Sequence, residues 1–250
     1  MRVLRVLIEA PVTSFRYPHF LIGRQITYDM PPPSTIYGHV MSAVGRLLPP
    51  ESLEFGYHFT HKARASDLEH QHIWNRNRGK KSVNYDITVQ PHHRDFLYDC
   101  RLVLYLKSDR IEELVHAFRE PVFCVNLGRS QDLASIRSVE AIELTEARPA
   151  YVESTILPFH TMRERIGRGI TATMPKYIGP PPEREPTVFA QYVVLHDRIF
   201  AGVDGDSGVS DAFRLLNRPT GASDEETWWT DPDTPQFHEA KRAVVFHPFT

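Results

Sequence analysis

The run Tyr28-Asp29-Met30-Pro31-Pro32-Pro33-Ser34-Thr35-Ile36-Tyr37-Gly38-His39-Val40 joins three prolines to a helix-forming segment. The prolines hold the incoming chain extended, and Ser34 stands where an N-cap hydroxyl accepts from free backbone N–H groups. A helix mouth fixed in this way presents unpaired N–H donors, the positive end of the helix dipole and the Ser34 and Thr35 hydroxyls, a combination suited to phosphate. The same residues also describe a capped helix with no ligand. A second place of this kind is Asn126-Leu127-Gly128-Arg129-Ser130-Gln131-Asp132-Leu133. A tight turn at Gly128 can aim backbone N–H groups, the Ser130 hydroxyl and the Arg129 guanidinium at phosphate oxygens. Arg129 can instead pair with Asp132 and hold the loop closed.

Two further segments have nucleic-acid chemistry. In Ile73-Trp74-Asn75-Arg76-Asn77-Arg78-Gly79-Lys80-Lys81, Trp74 can stack on a base while Arg76, Arg78 and Lys80 meet phosphates without reading sequence. Arg163, Arg165 and Arg168 lie in a glycine-punctuated loop of the sort that grips a sugar-phosphate backbone. Thirteen histidines raise the question of catalysis, since a metal-independent ribonuclease needs only an imidazole near a lysine or tyrosine. His61, His70 and His72, near Lys62, Lys80 and Tyr85, are the candidates for that role. His70-Gln71-His72 lacks a nearby third ligand for zinc, and no Walker loop, GxSxG elbow or strand-borne GxGxxG is present. No cofactor is expected.

The elements that must position these groups follow an alternating order. Val3 to Ile8 reads as a strand closed by Pro11. A helix from Ser34 sets Ile36, Val40, Val44 and Leu47 on one face, with Gly38 and Gly45 suited to close packing, and Pro49-Pro50 stops it. A short strand after Leu53, a polar segment from His58 to Asp95 and a strand from Leu97 to Lys107 come next. Asp109 and Glu112 form a capping-box-like start to a helix carrying Ile111, Leu114, Val115 and Phe118, which Pro121 closes. A strand from Ile136 to Leu144 completes βαββαβ order. The fold class is therefore α+β, a ferredoxin-like or RRM-like domain over 1–147 with a polar insertion at 58–96, followed by a smaller β-rich region over 148–250. Within the latter, Thr187 to Phe200 and Ala243 to Phe246 are strand candidates. Cys100 to Tyr105 lacks the aromatic pattern with which RRM sheets stack bases, so RNA is expected at element ends and in the insertion.

Composition agrees with a folded, soluble protein: 41% of residues are hydrophobic and 24% charged. No apolar run is long enough to span a bilayer, and the alternating start is unlike a signal segment, so a cytoplasmic location without membrane contact is expected. Cys100 and Cys124 suggest neither a disulfide framework nor a zinc site. The net charge of −2 hides segregation. Lys62, Arg64, Arg76, Arg78, Lys80 and Lys81 meet only Asp67 and Glu69 in the insertion, whereas acids dominate after Asp204.

Ser14-Phe15-Arg16 with Arg24-Gln25-Ile26-Thr27, then the proline-helix run, then Asn126 to Leu133, is an ordered set that resembles the fifth family of CRISPR-associated (Cas) proteins, of type I-B-like Cascade. The resemblance extends to about Thr145. It implies a noncatalytic subunit that grips the 5′ handle of CRISPR RNA (crRNA) and caps the backbone filament, supporting crRNA-guided DNA recognition. Arg16, Arg24, Ser34, Thr35, Arg129 and Ser130 would form the handle-binding surface, and the polar insertion would be a thumb-like hairpin. Implied partners are crRNA, the backbone subunit of the seventh Cas family, the large subunit of the eighth, and target DNA near the guide start. Some members of the resembled family process CRISPR repeat RNA, which makes a metal-independent endoribonuclease the alternative.

Overall fold

Strand β1 (Arg2–Thr13) sends Leu4, Val6 and Ile8 into a fully buried layer and keeps Arg5, Leu7 and Glu9 on the opposite face. A computed structural model describes residues 1–19, 23–76, 85–162, 168–201 and 227–250, with backbone only at 74–76, 85–87 and 161–162. Short strands β2 (Phe15–Arg16), β3 (Arg24–Gln25) and β4 (Thr27–Tyr28) follow, then α1 (Pro33–Val44), β5 (Glu54–Thr60), β6 (Ala63–Arg76), β7 (Tyr85–Lys107), α2 (Ile111–Arg119) and β8 (Ser135–Glu143). The central order β5-β7-β1-β8, antiparallel throughout, is the ferredoxin-like arrangement, with α1 and α2 packed on one face. The insertion is a long β6–β7 hairpin, paired without interruption from Ala63↔Tyr98 to Arg76↔Tyr85. At about 3.3 Å per residue, the 14 residues of β6 extend on the order of 40 Å from the sheet.

The C-terminal part contains β9 (Thr145–Ala147), β10 (Ala150–Val152), β11 (Thr155–Pro158), α3 (Phe159–Met162), β12 (Ile170–Ile178), β13 (Thr187–Leu195), β14 (Ile199–Ala201), β15 (Trp228–Thr230), β16 (Lys241–Arg242) and β17 (His247–Pro248). Its sheet β11-β13-β12 contributes Ile156, Met174, Tyr192 and Val194 to the same core as the helices, and β17 pairs with β5 at the edge of the main sheet.

Several local expectations are corrected. Pro11 lies inside β1, because β8 stops pairing at Glu9 and a residue lacking N–H is tolerated where that side of the strand has no partner. Helix α1 begins within the proline run, with Pro32 at the N-cap and no side-chain cap; proline suits the first turn because its φ is already helical. The helix ends at Gly45, whose φ of 77° and contact with Val122 close it before Pro49, so Leu47 lies outside it and is exposed. Gly38 faces open space instead of a neighbouring backbone. Helix α2 has no Asp109 cap: Ser108 Oγ accepts the Arg110 N–H, and Glu112 pairs with Arg2. The expected strand at 243–246 is a crossing segment between β16 and β17, because Val244 and Val245 lie against Gly56.

Candidate nucleic-acid interface

At the end of β1 the chain is locked to the turn at 127–132. Thr13 Oγ1 donates to the Leu127 carbonyl, the Ser14 N–H donates to Asp132 Oδ2 at 3.1 Å, and Ser14 Oγ donates to the Asp95 carbonyl at 2.8 Å. Gly128 makes this approach possible. Its φ is 100°, and a Cβ there would sit 3.0 Å from the Ser14 carbonyl and closer still to Thr13 Oγ1.

Asp132 is fully buried and receives the Arg129 backbone N–H at 3.1 Å and the Arg129 Nη2 at 2.6 Å. The guanidinium also donates to Glu69 on β6 at 2.8 Å and lies over the Phe96 ring of β7 at 4.8 Å. Of the two roles open to Arg129, the structure displays the ion pair with Asp132, extended into a tether between the turn and the hairpin. Arg94 donates to the same Glu69. Burial pushes the Glu69 carboxyl up, but Arg94 and Arg129 more than offset it and hold the group below its usual range. Beside this, Arg64 bridges Asp29 at 2.7 Å and buried Asp95 at 2.8 Å. The root of the hairpin is thus a charge network drawn from five separate stretches of chain.

Other cations point outward from this root. Arg16 on β2 is exposed and has no ion-pair partner among the described residues. Arg24, beside His93 on β7, is 69% exposed and touches Asp95 only at 3.6 Å. The Ser130 side chain is exposed as well. Ser34 and Thr35 are half-buried in the first turn of α1, and no hydrogen bond or ion pair among the described residues links them to the arginines. The mouth of α1 offers few donors: Pro33 has no N–H, and the Thr35 and Ile36 N–H groups already bond the Pro32 carbonyl at 2.9 and 3.2 Å.

Trp74 and Arg76 occupy the last described rungs of β6, opposite Ile87 and Tyr85. Arg78, Lys80, Arg163 and Arg165 lie outside the described residues. Arg168 is half-buried at the start of β12, 3.6 Å from Asp197, and is separated in the fold from the hairpin root.

The histidines proposed for strand cleavage are dispersed. His70 and His72 are exposed on the hairpin opposite Pro91 and Val89. His61 lines a cleft of about 280 Å³ with Asp29, Ser154 and His196, its ring 6.3 Å from that of His196. A hydrogen bond from His196 is the main influence holding the Asp29 carboxyl below its usual range. Among the described residues, no group of three or more His, Cys, Asp and Glu side chains could hold a metal ion, and no helix is long and apolar enough to cross a membrane.

Sequence reasoning missed Arg64, Glu69, Arg94 and Asp95 as a unit. The one available signal was the presence of Asp67 and Glu69 in an otherwise basic segment, because the partners lie 25 to 60 residues apart in the chain.

No curated protein matches the chain. Among solved structures, a chain of a "CRISPR RNA-guided surveillance complex" is 13% identical with a TM-score of 0.52, over 79% of this chain and 91% of that one. A second, described as "Crystal structure of Cas protein", is 16% identical with a TM-score of 0.43, over 80% of this chain and 94% of that one. A CRISPR protein from Archaeoglobus fulgidus is 12% identical with a TM-score of 0.42, over 79% and 87% of the two chains. The first shares the fold. Residues 3–189 match the model of the family described as CRISPR-associated protein (Cas_Cas5), which carries the match past Thr145 and into β13. A match over that much of the sequence, on a ferredoxin-like sheet with a projecting hairpin, shows that this chain belongs to the CRISPR-associated Cas5 family.

Proposed function

We propose that this protein is the noncatalytic RNA-binding subunit of a type I Cascade-like complex, in which the hairpin root grips the 5′ handle of crRNA and the body caps one end of the backbone filament. The observation that carries this reading is the pairing of a rigid corner with cations left free on its surface. Arg16 and Arg24 have little or no carboxylate contact, whereas every nearby guanidinium beneath them is neutralised. Free cations on a rigid support pair with phosphates at little reorganisation cost. In this reading Arg129 acts by holding the turn that presents Ser130, and β6 and β7 carry Trp74, Arg76 and the residues beyond them along the guide. The Arg163–Arg168 loop supplies a separate backbone contact. Backbone and large subunits of the seventh and eighth Cas families, and target DNA near the guide start, are the assembly partners that accompany this role.

The test is a double reversal, Arg16→Glu with Arg24→Glu, assayed against labelled handle RNA over a range of salt. Affinity is expected to fall at least about tenfold, and the log–log salt slope to flatten by roughly one. Unchanged affinity and slope would falsify the clamp. Repeat RNA incubated with the protein in EDTA is expected to be bound and recovered intact; specific cleavage would replace this reading with the endoribonuclease one.

A further inference from the structure

The face of the main sheet turned away from the helices forms the floor of a cleft of about 480 Å³, roofed by residues 231–235 and Arg242. Register places its floor in three rungs. Tyr105, Arg5 and Glu140 make the first; His58, Val103, Leu7 and Ser138 the second; Thr60, Arg101 and Glu9 the third. Adjacent rungs on one face are about 7 Å apart.

The charges of the cleft are polarised. At the first rung Arg5 is saturated, because Asp231 takes it at 3.0 Å, Asp233 at 2.9 Å, and Glu140 also pairs with it. Three carboxylates on one guanidinium leave that end acidic, and Asp233 and Glu140 are both well exposed to a ligand. At the third rung the balance reverses. Arg101 is exposed and has no hydrogen-bond or ion-pair partner among the described residues, since its cross-strand neighbour Glu9 is held by Arg137 at 2.8 Å. Arg242 on the roof meets only the Tyr105 hydroxyl, at 3.4 Å, through its side chain. Between Arg101 and Arg242 stands His58. Burial is the main cause that holds this imidazole below its usual range, Glu153 opposes it, and the fields of Arg242 and Arg101 add to the depression. Two cations acting on one neutral ring define a positive pocket beside an acidic one.

From this arrangement we infer that the open-face cleft binds one nucleotide unit, with its phosphate between Arg101 and Arg242, its sugar or base on the Leu7–Val103 floor, and its hydroxyl or amino donors at Asp233 and Glu140. The volume suits one nucleotide. The guanidinium pair provides the fork geometry that phosphate oxygens accept, and carboxylates accept from ribose hydroxyls or exocyclic amines. An aliphatic floor supports a ring by contact without the aromatic stacking of an RRM sheet. The source is either a residue of an RNA strand or a free mononucleotide, which share this chemistry. The cleft is distinct from the hairpin root and uses none of its arginines.

The test uses the full chain with three probes: inorganic phosphate, 5′-AMP and an octameric RNA lacking handle sequence, in wild type and in Arg101→Gln and Arg242→Gln. Neither arginine has a carboxylate partner, so both variants should melt like wild type, which circular dichroism checks. Binding of 5′-AMP weakened about tenfold by each substitution supports a mononucleotide site. Loss confined to the octamer supports a residue of an RNA strand. The inference is overturned if wild type binds neither 5′-AMP nor the octamer, if it binds phosphate alone, or if both variants bind as wild type does. The Arg16→Glu, Arg24→Glu protein separates the two sites, because it should lose handle RNA and keep the Arg101-dependent binding.

Discussion

The mouth of α1 and the turn at 127–132 carry similar ingredients, a hydroxyl, a backbone-special residue and nearby N–H donors, yet the fold uses them in opposite ways. At α1 the prolines start the helix early and absorb the donors into its own first turn. At the turn a buried carboxylate, Asp132, gathers two backbone N–H groups and a guanidinium from two parts of the chain. Neither is an open anion cradle. The outward cations nearby are the ones to which no remote carboxylate is delivered, and that delivery decides whether an arginine in this protein holds structure or faces a ligand.

The largest test of this distinction sets Arg129→Ala against Arg16→Ala. Removing the Arg129 side chain strands a fully buried Asp132 and releases Glu69 from the turn, and is expected to cost about 3–5 kcal/mol in urea unfolding. Arg16→Ala removes an exposed side chain and should change stability by no more than about 0.5 kcal/mol while weakening handle RNA. Equal destabilisation by the two substitutions would erase the contrast.

A smaller effect concerns His39, which joins the two regions: it lies on α1, and its Nδ1 donates to the Asn126 carbonyl at 3.0 Å. Its Nε2 is buried without a partner among the described residues, and burial, opposed by the Asn126 bond, holds the ring below its usual range. The folded state therefore keeps His39 neutral at a pH where the unfolded chain already takes up a proton, near pH 6.5 for a free imidazole. Its stabilising contribution is complete above that pH and is lost as pH falls toward the folded value. His58 and His247 act in the same direction, the latter held down to about 4 chiefly by burial. Urea midpoints measured from neutral pH downward should fall less steeply in His39→Gln than in wild type, by at most about 1.4 kcal/mol per pH unit. Parallel curves would show that the ring does not resist protonation.

Much of the sheet and both helices were legible because their signal is local. Leu102, Leu104 and Leu106 alternate along β7, and Ile111, Leu114, Val115 and Phe118 repeat along α2, so period and burial coincide. Helix ends were less legible, since Ser34 and Asp109 are good caps in isolation and lost to Pro32 and Arg110 through the path of the chain around them. The hairpin was foreseen as a polar insertion, but its root was not. Which carboxylate meets Arg64, Arg94 or Arg129 depends on the register of β6 with β7 and on the return of the chain at 127–132, and neither is encoded by spacing along the sequence. The uncommitted state of Arg16 and Arg101 is likewise a result of three-dimensional pairing, visible only once the partners of every neighbouring arginine are known.

The smallest expected effect returns to the helix mouth. An N-cap serine replaced by alanine costs about 1 kcal/mol, because it leaves an end donor unsatisfied. Ser34 is inside the helix, two residues past the Pro32 cap, and makes no side-chain cap bond. Ser34→Ala should therefore shift the urea midpoint by less than about 0.5 kcal/mol in either direction, helped by alanine's higher helix propensity. The backbone N–H of Ser34 survives the substitution, so handle-RNA affinity should also hold if that N–H, and not the hydroxyl, is what the mouth can still offer. A loss near the full cap value would restore Ser34 as the capping residue, and a loss of RNA affinity with stability unchanged would assign its hydroxyl to the phosphate.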